Sequence, residues 1–144
     1  MTNHINNTKS WFEAAVPNPT DKNRAVQIGC HFEEVCEMAE ALEDKDLAEI
    51  LKSVATEYKE GGTLEDLFGS GHKIDRKSLL DALCDQIVTA VGVAHMFGMN
   101  IEGAMAEVNR SNFSKFVDGK PVFNEHGKII KGPKYTPPDL TGFY

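Results

Sequence analysis

Apolar residues recur along this chain at intervals of three and four, the spacing of helices that lay one face on a core. The first stretch runs from about Thr8 to Val16, with Trp11, Phe12, Ala15 and Val16 apolar, and Pro17-Asn18-Pro19 stops it. Thr20 or Asp21 can cap a second helix that reaches about Leu42 and puts Ile28, Phe32, Val35, Ala39 and Leu42 on one side. Glu43-Asp44-Lys45-Asp46 reads as a polar connection. Leu47, Ile50, Leu51, Val54 and Ala55 predict a third helix to about Lys59, ended by Gly61-Gly62. Leu64, Leu67 and Phe68 fit one helical turn, and Gly69, Gly71 and His72 a loop. A long helix from about Asp75 to Phe97, capped by Asp75 and closed by Gly98, is almost wholly apolar. Asn100 caps another, from Ile101 to about Lys115, with Ile101, Ala104, Met105 and Val108 turned inward.

Past Lys115 the pattern changes. Val117-Asp118-Gly119-Lys120 is a turn, and Val122-Phe123, Asn124-Glu125-His126-Gly127 and Lys128-Ile129-Ile130 read as a small β-hairpin. Lys131 to Leu140 should be extended, since each proline disfavours helix in the residue before it. The expected architecture is all-α: a bundle of four to five helices with a small C-terminal β-hairpin and an extended tail. It is expected as one domain over residues 1–144, with a helical core (1–115) and the hairpin and tail (116–144).

Composition narrows the partners. A chain of 144 residues suits one domain with a sizeable core. A formal charge of −7 argues against a nucleic-acid duplex as partner, because a backbone binder shows a basic face. No uninterrupted apolar run approaches the ~18–20 residues of a membrane span, so no membrane partner is expected. Met1-Thr2-Asn3-His4-Ile5 lacks the basic-then-apolar order of a secretion signal. Cys30, Cys36 and Cys84 form no CxxC pair and read as buried, reduced thiols of a cytoplasmic protein.

The acids carry the chemistry. At roughly 100° per residue, Glu33, Glu37 and Glu40 fall within about 60° of one another, with Glu34 about 60° beyond Glu37. Asp81 and Asp85 lie one turn apart on the apolar helix, where carboxylates are costly unless something positive meets them. Oxygen donors without a Cys or His ligand pattern suit Mg2+ or Mn2+ better than zinc. A di-iron bundle would need Glu-x-x-His, and the residues three after Glu33, Glu34, Glu37, Glu40 and Glu102 are Cys36, Glu37, Glu40, Glu43 and Met105. No EF-hand loop occurs either.

Glu33-Glu34-x-x-Glu37 followed by an acidic pair on a later helix resembles the MazG-like, all-α nucleoside triphosphate pyrophosphohydrolase superfamily, whose motif is EExxE then ExxD. The wider text is similar to its phage and bacterial phosphoribosyl-ATP-pyrophosphohydrolase-like branch. Asp81-Ala82-Leu83-x-Asp85, Gly92, Asn109-x-x-Asn112-x-x-Lys115 and Gly127-Lys128-x-x-Lys131-Gly132-Pro133-x-Tyr135-x-Pro137-Pro138-Asp139-Leu140 carry that similarity, from about Arg24 onward. One departure stands out: Ser78 occupies the place of the acid expected three residues before Asp81.

The resemblance implies hydrolysis of a (d)NTP to the monophosphate and pyrophosphate, by water attack at the α-phosphorus. It implies Mg2+ or Mn2+, one or two per site, held by Glu34, Glu37, Asp81 and Asp85, with Glu33 and Glu37 in catalytic roles. Phosphate contacts fall to Lys115, Lys128 and Lys131, hydrogen bonds to Asn109 and Asn112, and stacking on a base to Tyr135. The long apolar helix exposes more surface than a thin bundle covers, which predicts a homodimer or homotetramer. The rival reading is a non-catalytic Mg-nucleotide-binding or scaffold oligomer that keeps the acids without turnover.

Overall fold

In the computed structural model, which describes residues 3–125 and 129–144, each of six helices begins on a side-chain oxygen that accepts the backbone N–H three residues on. The caps are Asn3, Thr20, Asp44, Thr63, Asp75 and Asn100. Each such cap contributes about 1 kcal/mol by satisfying a donor the helix cannot reach. The helices are α1 (His4–Ala15), α2 (Asp21–Ala41), α3 (Lys45–Glu60), α4 (Leu64–Phe68), α5 (Arg76–Met96) and α6 (Ile101–Phe113). The chain is therefore all-α, and it divides into two compact units: residues 18–74, and residues 1–17 with 75–144.

In the unit of residues 18–74, α2 and α3 form an antiparallel hairpin. Its turn passes through Glu43, which takes a left-handed φ of 60°. The seam is built from small residues: Ala25, Gly29, Cys36 and Ala39 of α2 and Ala48 and Ala55 of α3 are all buried. Cys36, Ala39 and Ala48 form its centre, with Leu51 packed against them, and the Cys36 thiol donates to the Ala48 carbonyl at 3.2 Å. Small side chains let two helices approach closely. At Gly29 a Cβ would stand 2.5 Å from Lys59 Cγ and 2.8 Å from the Ala55 carbonyl oxygen, so the seam requires glycine there. The single helical turn of α4 docks on this hairpin through Leu64, which is buried and donates its N–H to Asp21.

In the other unit, α1 packs on α6. Trp11 stacks on Phe116 and donates its indole N–H to the Asn112 carbonyl at 2.9 Å. The tail then runs back along α6: Thr136 engages Ser111 and Ser114, the Asp139 N–H meets Glu107, and the Phe143 carbonyl accepts the Asn100 N–H. The expected β-hairpin is not formed as strands among the described residues. Val117 pairs with Lys120 and Phe123 with Ile129 as isolated bridges. Two apolar residues on each side are too short for a ladder, and Pro121 removes a donor next to them. The expected turn at His126-Gly127 lies outside the described residues.

Two further expectations change. No large side chain is fully buried among the described residues; the core is mostly alanine, with Cys36, Leu64 and Phe116. Leu80 (63%), Val88 (67%), Met96 (82%) and Phe97 (62%) are largely exposed instead. α5, at 21 residues and a mean hydropathy of 1.3, is long and apolar enough by length and composition to cross a membrane. A search for uninterrupted apolar runs misses it, because Asp81 and Asp85 interrupt the sequence without lowering the average enough. Of the three cysteines only Cys36 is buried; Cys30 is half-buried and Cys84 exposed.

Candidate functional site

The small-residue seam fixes which way the α2 acids face. With Gly29, Cys36 and Ala39 turned into the hairpin, Glu33, Glu34, Glu37 and Glu40 are left on exposed positions. Glu33 and Glu37 are one turn apart. Glu33 is anchored by an ion pair: the Lys59 ammonium reaches its two carboxylate oxygens at 2.9 and 2.8 Å. This hydrogen bond raises the Lys59 pKa, against the opposing effect of partial burial. Glu40 lines an open hollow of about 600 Å³ at the hairpin turn, together with Glu43, Lys45, Ala48, Glu49 and Lys52.

Asp81 and Asp85 stand exposed in the first half of α5, one turn apart, as the sequence spacing requires. Ser78, where the motif would carry an acid, is tied to the helix cap: its hydroxyl and its N–H both donate to the Asp75 carboxylate. Those two bonds hold the Asp75 carboxyl below its ordinary range. The α2 acids and the α5 acids belong to different units of the chain.

The residues proposed for phosphate and base divide in their surroundings. Asn109 is buried, and its amide is engaged at both ends: Oδ1 accepts from the Thr8 hydroxyl and Nδ2 donates to the His4 carbonyl. The helix-disfavouring Asn109 therefore has a packing duty, joining α1 to α6. Asn112 and Lys115 come together, with the Lys115 ammonium on Asn112 Oδ1 at 2.9 Å and 5.7 Å from the Trp11 ring centroid. Lys131 lies over the Tyr135 ring at 4.7 Å. Lys128 falls outside the described residues.

Among the described residues no group of three or more His, Cys, Asp or Glu side chains is gathered to hold a metal ion. The acids come in exposed pairs. Such pairs are unsuited to a closed zinc or calcium cage, but they fit the donor chemistry of Mg2+, which commonly takes one or two carboxylates and fills its shell with water and substrate phosphate.

Two arrangements escaped the sequence reading. The Glu33–Lys59 pair joins residues 26 apart, and only the register of the small residues across the α2–α3 turn could have signalled it. Glu107 and Arg110 were readable from their i,i+3 spacing. The Arg110 guanidinium, and after it the Asp139 N–H, bring the Glu107 carboxyl down to about 2. Arg110 also holds the tail through the Thr136 hydroxyl and the Pro137 carbonyl. Comparison of this chain with protein-family models, curated proteins and solved structures gave no match.

Proposed function

We propose that this chain is a Mg2+-dependent nucleoside triphosphate pyrophosphohydrolase, converting a (d)NTP and water to the (d)NMP and pyrophosphate. One observation carries the reading: Asp81 and Asp85 stand one turn apart on a helix that is otherwise mostly apolar, while α2 presents Glu33, Glu34 and Glu37 on exposed positions. The likeness of these residues to the EExxE and ExxD motifs supports it.

Glu34 and Glu37 of α2 and, separately, Asp81 and Asp85 of α5 are each a carboxylate pair that would take Mg2+. When bound, Mg2+ lowers the pKa of water and neutralises charge on the transferring phosphoryl group. Glu33 and Glu37, on one helical face, orient the attacking water toward the α-phosphorus. Lys115 and Lys131 meet the phosphates as cations, Lys128 shares that task, and Asn112 donates a hydrogen bond. Tyr135 offers a ring face to the base. Asn109 supports them by fixing α6 against α1.

We place a second copy of the chain on α5. A helix of 21 residues is about 31 Å long and about 10 Å across, so its lateral surface is roughly 1,000 Å², of which one partner can cover about half. That is more than half of the ~800 Å² per partner of a standard stable interface, the flanking residues supplying the rest. A bilayer suits α5 less well, because each carboxylate near its middle would cost about 2.5–3.5 kcal/mol. A homodimer or homotetramer in the cytoplasm follows from this reading.

The test is pyrophosphate release from a panel of NTPs and dNTPs with Mg2+ and with EDTA. Turnover with Mg2+, lost in Glu37→Gln and Asp81→Asn while both remain folded, supports the enzyme. Inorganic phosphate as sole product refutes cleavage at the α-phosphorus. Binding of Mg-nucleotide with no product favours the non-catalytic scaffold.

A further inference from the structure

We infer that the α2–α3 hairpin carries a self-association face of its own, the flank opposite the Glu33–Lys59 pair, on which the hairpin of a second copy packs to close a four-helix bundle. Together with the copy placed on α5 above, this makes the chain a tetramer with two kinds of twofold contact. Only the count of four rests on that earlier placement; the hairpin contact stands without it.

The hairpin sorts its side chains into three sectors. The small residues fill the seam. At about 100° per residue, one flank takes Glu33 and Glu40 of α2 beside Lys52 and Lys59 of α3. The Glu33–Lys59 pair and the hollow shared by Glu40 and Lys52 lie on that side. The other flank takes Val35, Met38 and Leu42 of α2 beside Leu47, Ile50 and Val54 of α3. Met38, Leu42, Leu47 and Ile50 are exposed there, Leu42 at 56% and Ile50 at 62%. Between residues 28 and 42, and between 47 and 58, no Asp, Glu, Lys or Arg lies within about 60° of its middle.

Size and charge select the occupant. α2 is about 31 Å long and α3 about 24 Å. A third of each lateral surface, at about 10 Å across, comes to roughly 580 Å² per partner, or about 1,150 Å² over two copies. This clears the ~1,000 Å² that a specific contact needs. A layer two helices wide with one apolar face is closed by another such layer, whereas a single helix covers only part of it. A twofold axis supplies that layer from the same chain, the same patch serving on both copies. Net charge leaves the same choice. Copies of a chain carrying −7 repel wherever their acids meet, and the middle of this flank carries none.

Light scattering on the full chain reads both contacts. The parent should have four times the 15.9 kDa of one chain. Leu42→Glu and Ile50→Glu, each placing a charge on the apolar flank, should halve that mass, while Glu40→Gln on the charged flank leaves it unchanged. Val88→Glu should halve it through the other contact, and Ile50→Glu combined with Val88→Glu should give single chains. Circular dichroism establishes that each variant keeps its helices; where a charged variant loses them, Ile50→Gln should show the same fall in mass. A monomeric parent overturns the inference, and so do folded Leu42→Glu and Ile50→Glu proteins of parental mass. A dimeric parent that Ile50→Glu splits and Val88→Glu does not supports the hairpin contact and removes the one on α5. A dimer split by Val88→Glu alone overturns the hairpin contact and keeps the other.

Discussion

Replacing Gly29 by alanine puts two physical effects in direct opposition. Helix propensity favours the change by about 1 kcal/mol, because glycine in a helix interior loses more backbone freedom on folding. Geometry opposes it. The new Cβ would sit 2.5 Å from Lys59 Cγ, which can swing aside, and 2.8 Å from the Ala55 carbonyl oxygen, which cannot move unless α3 does. Forcing a methyl group into a packed seam costs typically 1–3 kcal/mol. The net expectation is a loss of roughly 0–2 kcal/mol after the propensity gain is subtracted. For a chain of this size each kcal/mol moves the melting temperature by about 2–4 °C. Gly92 of α5 is the control, since a Cβ there meets nothing within 4 Å. Gly92→Ala, unfolded at concentrations low enough to keep the chain monomeric, should therefore show the propensity gain alone, up to about 1 kcal/mol. Calorimetry and urea unfolding of both variants beside the parent decide the matter. A Gly29→Ala protein that gains as much stability as Gly92→Ala would mean that α2 and α3 are not as close as described.

Other outcomes follow from single contacts. Asn109→Ala removes both amide bonds to α1 and should cost about 1–3 kcal/mol, read as a lower urea midpoint; an unchanged midpoint refutes the packing duty. Light scattering should give the parent a mass above 15.9 kDa, with Val88→Glu shifted toward that value; a monomeric parent removes the α5 interface. The Glu107 carboxyl sits at about 2 against an ordinary 4.5, a depressed pKa, so its contribution is complete above 4.5 and lost as pH falls toward 2. Amide exchange at Asp139, corrected for its intrinsic rate, should show protection over that higher range; protection already gone above pH 4.5 refutes the contact.

Local chemistry was the legible part of this sequence. Asp75, Asn100 and Thr20 announced their helices because an N-cap needs only a short side-chain oxygen and a few residues of pattern. The start of α1 was harder: the run His4-Ile5-Asn6-Asn7 has poor helix propensity and hid the Asn3 cap, so α1 begins four residues before Thr8. The hairpin failed for a different reason. Alternation over two residues a side cannot distinguish a strand from a bridge. At the candidate site, one-turn spacing placed Glu33 with Glu37 and Asp81 with Asp85, because that follows from helix geometry alone. Lys59 was invisible, since its link to Glu33 depends on how closely two helices approach, and the glycine at 29 sets that distance. Likewise Asn109 looked free for a ligand until α1 proved to fill both of its hydrogen-bonding ends.

The route of the backbone has a consequence for biosynthesis. Residues 18–74 are continuous, so α2, α3 and α4 can assemble on the ribosome while later residues are still being added. The surrounding unit cannot, because Thr8 and Trp11 find their partners 101 positions downstream. Until α6 emerges, α1 has no surface to settle on, and closing so wide a loop is entropically slow. Nascent chains arrested before residue 100 should therefore carry a finished hairpin between two unsettled flanks, with α5 the stretch most in need of a chaperone.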